Sequence, residues 1–249
     1  CAMTQVRWSD MTFEEVGAAA ASGAVAVLPV GATEQHGPHL ITGTDTFFAE
    51  GLCIDAAAQT GDVVLPPLAY GCSLGHTDQW PGTISLTPQT MLAMVTEIGR
   101  WVYASGFRRL VMFNAHATNG PPCESALLQL RYDYPDLRMR FVSVFELSPE
   151  ITERYVHDGP DIHANEAETS LMLDMNPAGV RDGLAVDESD LTVGRVFQYP
   201  MPAVSRSGVV GAPTTATAAS GASLHAIVVE ALAGLLRAAR AETDPDLPS

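Results

Sequence analysis

Three short polar segments carry side chains that could do chemistry together. Gly31-Ala-Thr-Glu34-Gln-His36-Gly37-Pro38-His39 sets a carboxylate and an imidazole two residues apart, and in an extended chain such a pair projects to one side. Asp45 follows shortly after Gly43, Asn114-Ala-His116-Ala-Thr118-Asn119 adds a second imidazole, and the stretch from His163 to Ser170 contains Glu168. Two imidazoles, His36 and His116, with three carboxylates, Glu34, Asp45 and Glu168, and no thiolate make a borderline-to-hard donor set suited to zinc, manganese or ferrous iron. Three carboxylates against two divalent ions leave a charge of about +1, which a bridging hydroxide neutralises, whereas one ion would leave the set over-anionic. The expectation is therefore two divalent ions per chain, supplying an activated water and a Lewis acid. Loop capping and hydrogen bonding is the alternative role for these residues, and their joint pattern weighs against it.

The elements that must position these groups alternate in type. Thr12-Phe-Glu-Glu15 has the capping-box pattern and predicts a helix toward Ala21, followed by a buried strand over 24–29. Helices are predicted over 46–59, 88–105, 124–132, 165–175 and 220–241, and strands over 63–65, 110–113 and 139–144. Such alternation implies an α/β fold with a largely parallel sheet covered on both faces, where ligands sit beyond the carboxyl ends of the strands. The histidines and carboxylates fall at those exits. The segment 187–213, with Pro200, Pro202, Gly208 and Gly211, reads as a long surface excursion. Residues 3–241 read as one domain and 242–249 as a flexible tail.

Composition narrows the chemistry. The chain has 249 residues, a net charge of −16, and 13 basic side chains, every one an arginine. Without lysine there is no Schiff base, no serine–lysine dyad and no Walker P-loop. The acidic balance argues against nucleic acid as a partner and favours a small or neutral substrate. Cys1, Cys53, Cys72 and Cys123 lack paired spacing, so a reducing compartment, the cytoplasm, is expected. No signal-peptide pattern or apolar run of membrane-spanning length free of polar breaks is read, so no membrane association is expected.

L-P-V-G-A-T-E-Q-H-G-P-H-L around Glu34 and His36, Thr44-Asp45, W-P-G-T-I-S-L at 80–86, N-A-H-A-T-N at 114–119 and H-A-N-E-A-E-T-S at 163–170 together resemble the creatininase family, over most of residues 5–240. The resemblance implies a three-layer α/β/α sandwich, hydrolysis of a peptide or non-peptide amide, two divalent metals and a homo-oligomer, often a hexamer. It also implies that Glu34 and His116 ligate one metal, His36 the other, that Asp45 bridges both, and that His163 shuttles protons. Creatininase itself has a glutamate where Thr118 stands here. Family members lacking that glutamate use the one in the E-T-S block, which makes Glu168 the ligand of the second metal. The two tryptophans that enclose creatinine in the family have no counterpart over 140–165, where this chain has none; its tryptophans are Trp8, Trp80 and Trp101. The expected reaction is thus cleavage of an amide or cyclic amide C–N bond in a small molecule, with a precursor peptide as the alternative substrate.

Other residues stay open at this level. His39 and His76 could support the ligands or touch substrate, Asn114 and Asn119 could brace the His116 loop or bind substrate, and His157 and His225 read as structural. Gly71-Cys-Ser73-Leu-Gly75 fits the G-x-S-x-G nucleophile elbow of serine hydrolases, but Pro66-Pro67 before it and Pro81-Gly82 after it oppose the strand–turn–helix that an elbow requires.

Overall fold

The computed structural model describes residues 6–159, 162–181 and 183–243. Four parallel strands, β1 (Ala26–Val30), β2 (Val63–Val64), β3 (Arg109–Asn114) and β4 (Arg138–Ser143), form one sheet in the order β2-β1-β3-β4. The central strand β1 is buried along its whole length, as its unbroken apolar sequence requires when both faces are covered. The helices are α1 (Phe13–Ala21), α2 (Thr44–Thr60), α3 (Pro88–Ala104), α4 (Gly120–Asp133), α5 (Pro149–Val156), α6 (Glu166–Met175), α7 (Met201–Val204) and α8 (Ala218–Ala241). Two apolar cores lie on opposite faces of the sheet. Side chains of α2, α5, α6 and α8 build one, and those of α1, α3 and α4 the other. This is the three-layer α/β/α sandwich expected.

Local chemistry sets most boundaries. Thr12 caps α1 in a reciprocal box with Glu15, Thr87 caps α3 with Pro88 in its first turn, and Asn165 caps α6 by accepting from the Glu168 N–H at 3.2 Å. The structure corrects the predicted elements in four places. Strand β1 runs on through Pro29 to Val30, because the Pro29 carbonyl still accepts from the Leu68 N–H at 3.0 Å. Helix α4 begins at Gly120, since Pro121 and Pro122 fall in the first turn, where a missing N–H costs nothing. Helix α5, unpredicted, is opened by Ser148 as its cap with Pro149 behind it. Of the expected surface excursion, the return leg departs: Val204, Ser205 and 208–211 are buried.

Helix α8 is long and apolar enough, by length and composition, to cross a membrane, which the polar breaks in its sequence did not suggest. Here Leu224, Val228, Leu232 and Leu236 bury its apolar stripe in the core shared with α2 and α6. The tail expected to be flexible falls, from residue 244 onward, outside the described residues.

Packing of α8 on α6 fixes the helix that carries Glu168, and the contact is backbone to backbone: a Cβ added at Gly221 would stand 1.8 Å from the Ser170 carbonyl oxygen. Gly221→Val should therefore destabilise the fold by about 2 kcal/mol or more, read as a lowered urea midpoint with an unchanged slope. A midpoint equal to that of the parent would show that the two helices can part at no cost.

Candidate metal centre

In-register pairing of Val30 with Asn114, and of Asn114 with Ser143, brings three strand exits to one edge of the sheet. The loop after β1 is braced by the 80–86 segment, where the Ile84 N–H reaches the Thr33 carbonyl and the Thr83 hydroxyl accepts from the Gln35 N–H, both at 3.0 Å. Asn114 and Asn119 prove to be braces. Asn114 donates to the His116 carbonyl at 2.7 Å, and Asn119 spans the Gly31 carbonyl, the Asn114 side chain and the Cys72 N–H.

The structure brings Glu34, His36, Asp45, His116, His163 and Glu168 to the wall of one pocket of about 220 Å³. Glu34 and Asp45 are each 1% exposed. The two oxygens of Asp45 face different rings: Oδ1 lies 3.0 Å from His36 Nε2, and Oδ2 lies 3.4 Å from His116 Nδ1. The other nitrogen of each ring faces a backbone carbonyl, joined at His116 by the Thr118 and Ser73 hydroxyls. His36 Nδ1 donates to the Glu34 carbonyl at 3.1 Å, and His116 Nε2 faces the Cys72 carbonyl at 3.2 Å, with the Thr118 hydroxyl at 2.7 Å. When the carbonyl-facing nitrogen carries the hydrogen, each neutral ring turns a lone pair toward Asp45, an arrangement that suits a cation between them.

Two buried carboxylate oxygens, Glu34 Oε2 and Asp45 Oδ2, have no hydrogen-bond partner, an expensive condition for ionised groups unless a cation lies beside them. The groups Glu34–His36–Asp45, His36–His163–Glu168 and Glu34–His76–His163 each offer three donor atoms lying within 4.8 Å of one another. These N/O donors fit a divalent cation.

The electrostatics follow from burial. Desolvation disfavours a charged His36, yet the Asp45 carboxylate, with Glu168 and Glu34, raises it to about 10. Desolvation is likewise overcome at His116, which Glu34 and Asp45 raise to about 9. Protons on these rings occupy the place of cations. Burial and the Asp45 charge hold Glu34 up at about 7 against the opposing pull of His116, and burial raises Glu168. Asp45 moves the other way: burial is outweighed by His36 and His116, and its carboxyl falls below the usual range. His163 is pushed well below its ordinary value by burial and then by His36 and His76, so it stays neutral.

His163 is held by antiparallel pairing with Val210, and its Nε2 lies 2.9 Å from Glu34 Oε1. The same nitrogen lies 3.1 Å from His76 Nδ1 and 3.4 Å from the Gln35 amide nitrogen, while Nδ1 is buried without a partner. The next residue, Ala164, has φ +50°, a left-handed conformation rare for alanine, which aims its N–H at Glu168 Oε2, 2.6 Å away.

His39 and His76, left equivalent by sequence, separate here. His76 lines the pocket with Nδ1 3.2 Å from Glu34 Oε1, while His39 lies behind it on the Thr169 hydroxyl. His157 and His225 lie elsewhere, the latter between Asp55 and Asp174. Ser73 does sit 3.1 Å from His116 Nε2, but it is wholly buried, lies outside the pocket lining and enters a 3-10 turn rather than an elbow. No substrate reaches it.

Sequence reasoning missed the pocket residues Phe145, Ile162, Tyr199, Met201 and Val204. The last three belong to the 187–213 loop, which is tied down by Glu188: its carboxylate accepts from the Ser205 and Ser207 hydroxyls and from the Arg206 and Ser207 N–H groups. Desolvation is the largest single influence and raises Glu188, but these donors together outweigh it and lower it to about 2. An acid with a depressed folded value contributes stability above its unfolded value near 4.3, and that contribution fades as pH falls toward 2. Glu188→Gln should speed proteolytic nicking of 191–199 severalfold at pH 7, and the difference from the parent should shrink as pH drops below about 4. Equal nicking rates at pH 7 would show that the loop does not depend on this carboxylate.

A family described as creatinine amidohydrolase matches residues 9–236. The mycofactocin precursor peptide peptidase of Mycolicibacterium smegmatis is 33% identical over 221 residues, covering 85% of this chain and 83% of that protein. The creatinine amidohydrolase of Pseudomonas putida is 31% identical over 246 residues, covering 92% and 95%. A crystal structure of creatininase superposes with a TM-score of 0.85 at 29% identity, covering 96% of this chain and 99% of that one. Creatininase structures described as a Zn–Zn type and as Mn give TM-scores of 0.84 and 0.83 at 27% and 30% identity, each covering 94% of this chain and, respectively, 97% and 98% of those.

Proposed function

The chain belongs to the creatininase family of metal-dependent amidohydrolases, and on that premise we propose that it cleaves an amide or cyclic amide C–N bond with two divalent ions held on either side of Asp45. The observation that carries this reading is the pair of imidazoles, His36 and His116, each pinned by a carbonyl at one nitrogen and facing its own oxygen of Asp45 with the other. Glu34, Asp45 and His116 would hold one ion, and His36, Asp45 and Glu168 the other. Zinc suits this donor set, with manganese or iron as further occupants.

When bound, the ions supply a water of near-neutral pKa and an electrophile for the carbonyl oxygen. The protein's own part is proton traffic and exclusion of solvent. One proton must leave the attacking water and one must reach the leaving nitrogen, because an amide anion is a very poor leaving group. His163 lines the pocket, is kept neutral by burial and lies with Nε2 2.9 Å from Glu34, and it is the residue to which we assign the uptake and return of that proton. Glu168, held by the Ala164 N–H, would support the second ion in place of the glutamate that Thr118 replaces.

None of the three tryptophans lines the pocket, and where the family encloses creatinine this chain offers Phe145 and Ile162. The substrate we propose is therefore a small non-peptide or cyclic amide other than creatinine. A peptide is the second reading, favoured by the relatives whose name makes them precursor-peptide peptidases. We further propose a homo-oligomer, on the exposed Val193, Val196 and Phe197 of the pocket loop, and a reducing, cytoplasmic setting, on four cysteines without paired spacing.

Metal analysis of protein saturated with zinc or manganese, followed by screening on lactams, cyclic ureas, formamides and short peptides, tests the reading. About two ions per chain are expected; one or none contradicts it. His163→Ala should keep its metals and lose turnover by about 10²–10⁴-fold, whereas Glu168→Gln should lose an ion and recover in part with excess metal. The opposite pattern would exchange their roles. Ser73→Ala should stay within about tenfold of the parent, and a fall of roughly three orders of magnitude would restore a serine nucleophile.

A further inference from the structure

The metal groups occupy only the floor of the pocket. An apolar part of its wall is formed by Tyr199, Met201 and Val204 from the 187–213 loop together with Phe145 and Ile162 from the loops after β4 and before α6. This wall is held in place. The Leu191 N–H binds the Val204 carbonyl at 2.9 Å, the Ser205 N–H binds the Met201 carbonyl at 2.8 Å, and the Ser205 hydroxyl joins the Glu188 carboxylate. Gln35 ties the return leg to the floor by donating to the Gly208 carbonyl at 3.2 Å; a Cβ at Gly208, whose φ is +79°, would stand 2.2 Å from Gln35 Oε1, so the approach depends on glycine there. Phe145 is packed edge-on against the buried Tyr155, with ring centroids 6.1 Å apart.

The wall's charge matters as much as its shape. All 13 basic side chains are arginines within the described residues, and none of them lines the pocket. Several are engaged elsewhere: Arg108 with Asp136, Arg154 with Ser220, Arg240 with the Thr60 carbonyl. Three carboxylates stand on the floor instead. With the metal ions bound those carboxylates are spent, and an anionic group among Tyr199, Met201, Val204, Phe145 and Ile162 would meet only carbon and one phenol, with no guanidinium to receive it.

Resting on the amidohydrolase reading, we propose that Tyr199, Met201, Val204, Phe145 and Ile162 select the substrate: an uncharged amide carrying an apolar or aromatic group next to the scissile bond, with no carboxylate or phosphate on that side. The amide carbonyl is directed to the floor and the apolar group to the wall, whose burial supplies binding that a polar group cannot.

Three hydroxamates on the zinc-loaded full chain test this by calorimetry. Acetohydroxamate, with almost no apolar group, reads the metal centre alone; benzohydroxamate adds the uncharged ring; 4-carboxybenzohydroxamate adds the same ring with an anion. Benzohydroxamate should bind at least about tenfold more tightly than acetohydroxamate, and the carboxylated ring should lose most of that gain. Val204→Asp should erase the preference for the ring, and Met201→Arg, which places a cation on the wall, should restore binding of the carboxylated ring. Failure of acetohydroxamate to bind overturns the metal reading on which the proposal rests. If acetohydroxamate binds and the two rings bind equally to each other, or no better than it does, the metal reading stands and the selective wall is overturned.

Discussion

Two carboxyl groups, Glu34 and Asp45, are buried at the edge of a parallel sheet with no arginine beside them, and the rest of the site answers that constraint. A buried charge is tolerated only when it is paired and hydrogen-bonded. Glu34 draws His163 and His76 to one oxygen and has His116 Nε2 3.3 Å from the other, while Asp45 draws one ring to each oxygen. Backbone carbonyls fix which nitrogen of His36 and His116 is free, so orientation is set by groups that cannot titrate or turn. Divalent cations held by these donors would complete the neutralisation.

The fold serves this by bringing strand ends into register. Because β1, β3 and β4 are parallel and paired to their last residues, their exits open on one side, and the asparagines at 114 and 119 cross-brace them. Helix α6 arrives from the other side with Glu168, pressed into place by α8. The loop closing over the top is latched by Glu188 and tied to the site through Gln35 and His163, so the apolar wall and the metal-site residues are positioned together.

Much of the floor could be read from the sequence because its signals are local. Glu34 and His36 share the side of an extended segment, Asp45 opens a helix after a glycine, and His116 follows an apolar strand directly; each is a short-range pattern combined with a residue type. The wall had no such signal. Tyr199, Met201 and Val204 lie in a stretch whose prolines and glycines resemble any surface loop, and its return leg is buried only through long-range pairing of Val210 with His163 and of Gly208 with Gln35. His76 was undecided for the same reason, since a 3-10 turn remote in sequence delivers it to Glu34. Helix α5 was missed because it is only eight residues long, too short for periodicity to stand out, although Ser148-Pro149 announced it. The strain at Ala164 has no sequence signature at all, because alanine gives no sign of φ > 0.

The central claim is that Asp45 is shared by two ions. An anomalous difference map from zinc-loaded crystals tests it directly. The account predicts two peaks per chain about 3.5–4 Å apart, one between Asp45 Oδ2 and His116 and the other between Asp45 Oδ1 and His36. A single peak, or a pair in which Asp45 touches only one ion, would contradict it.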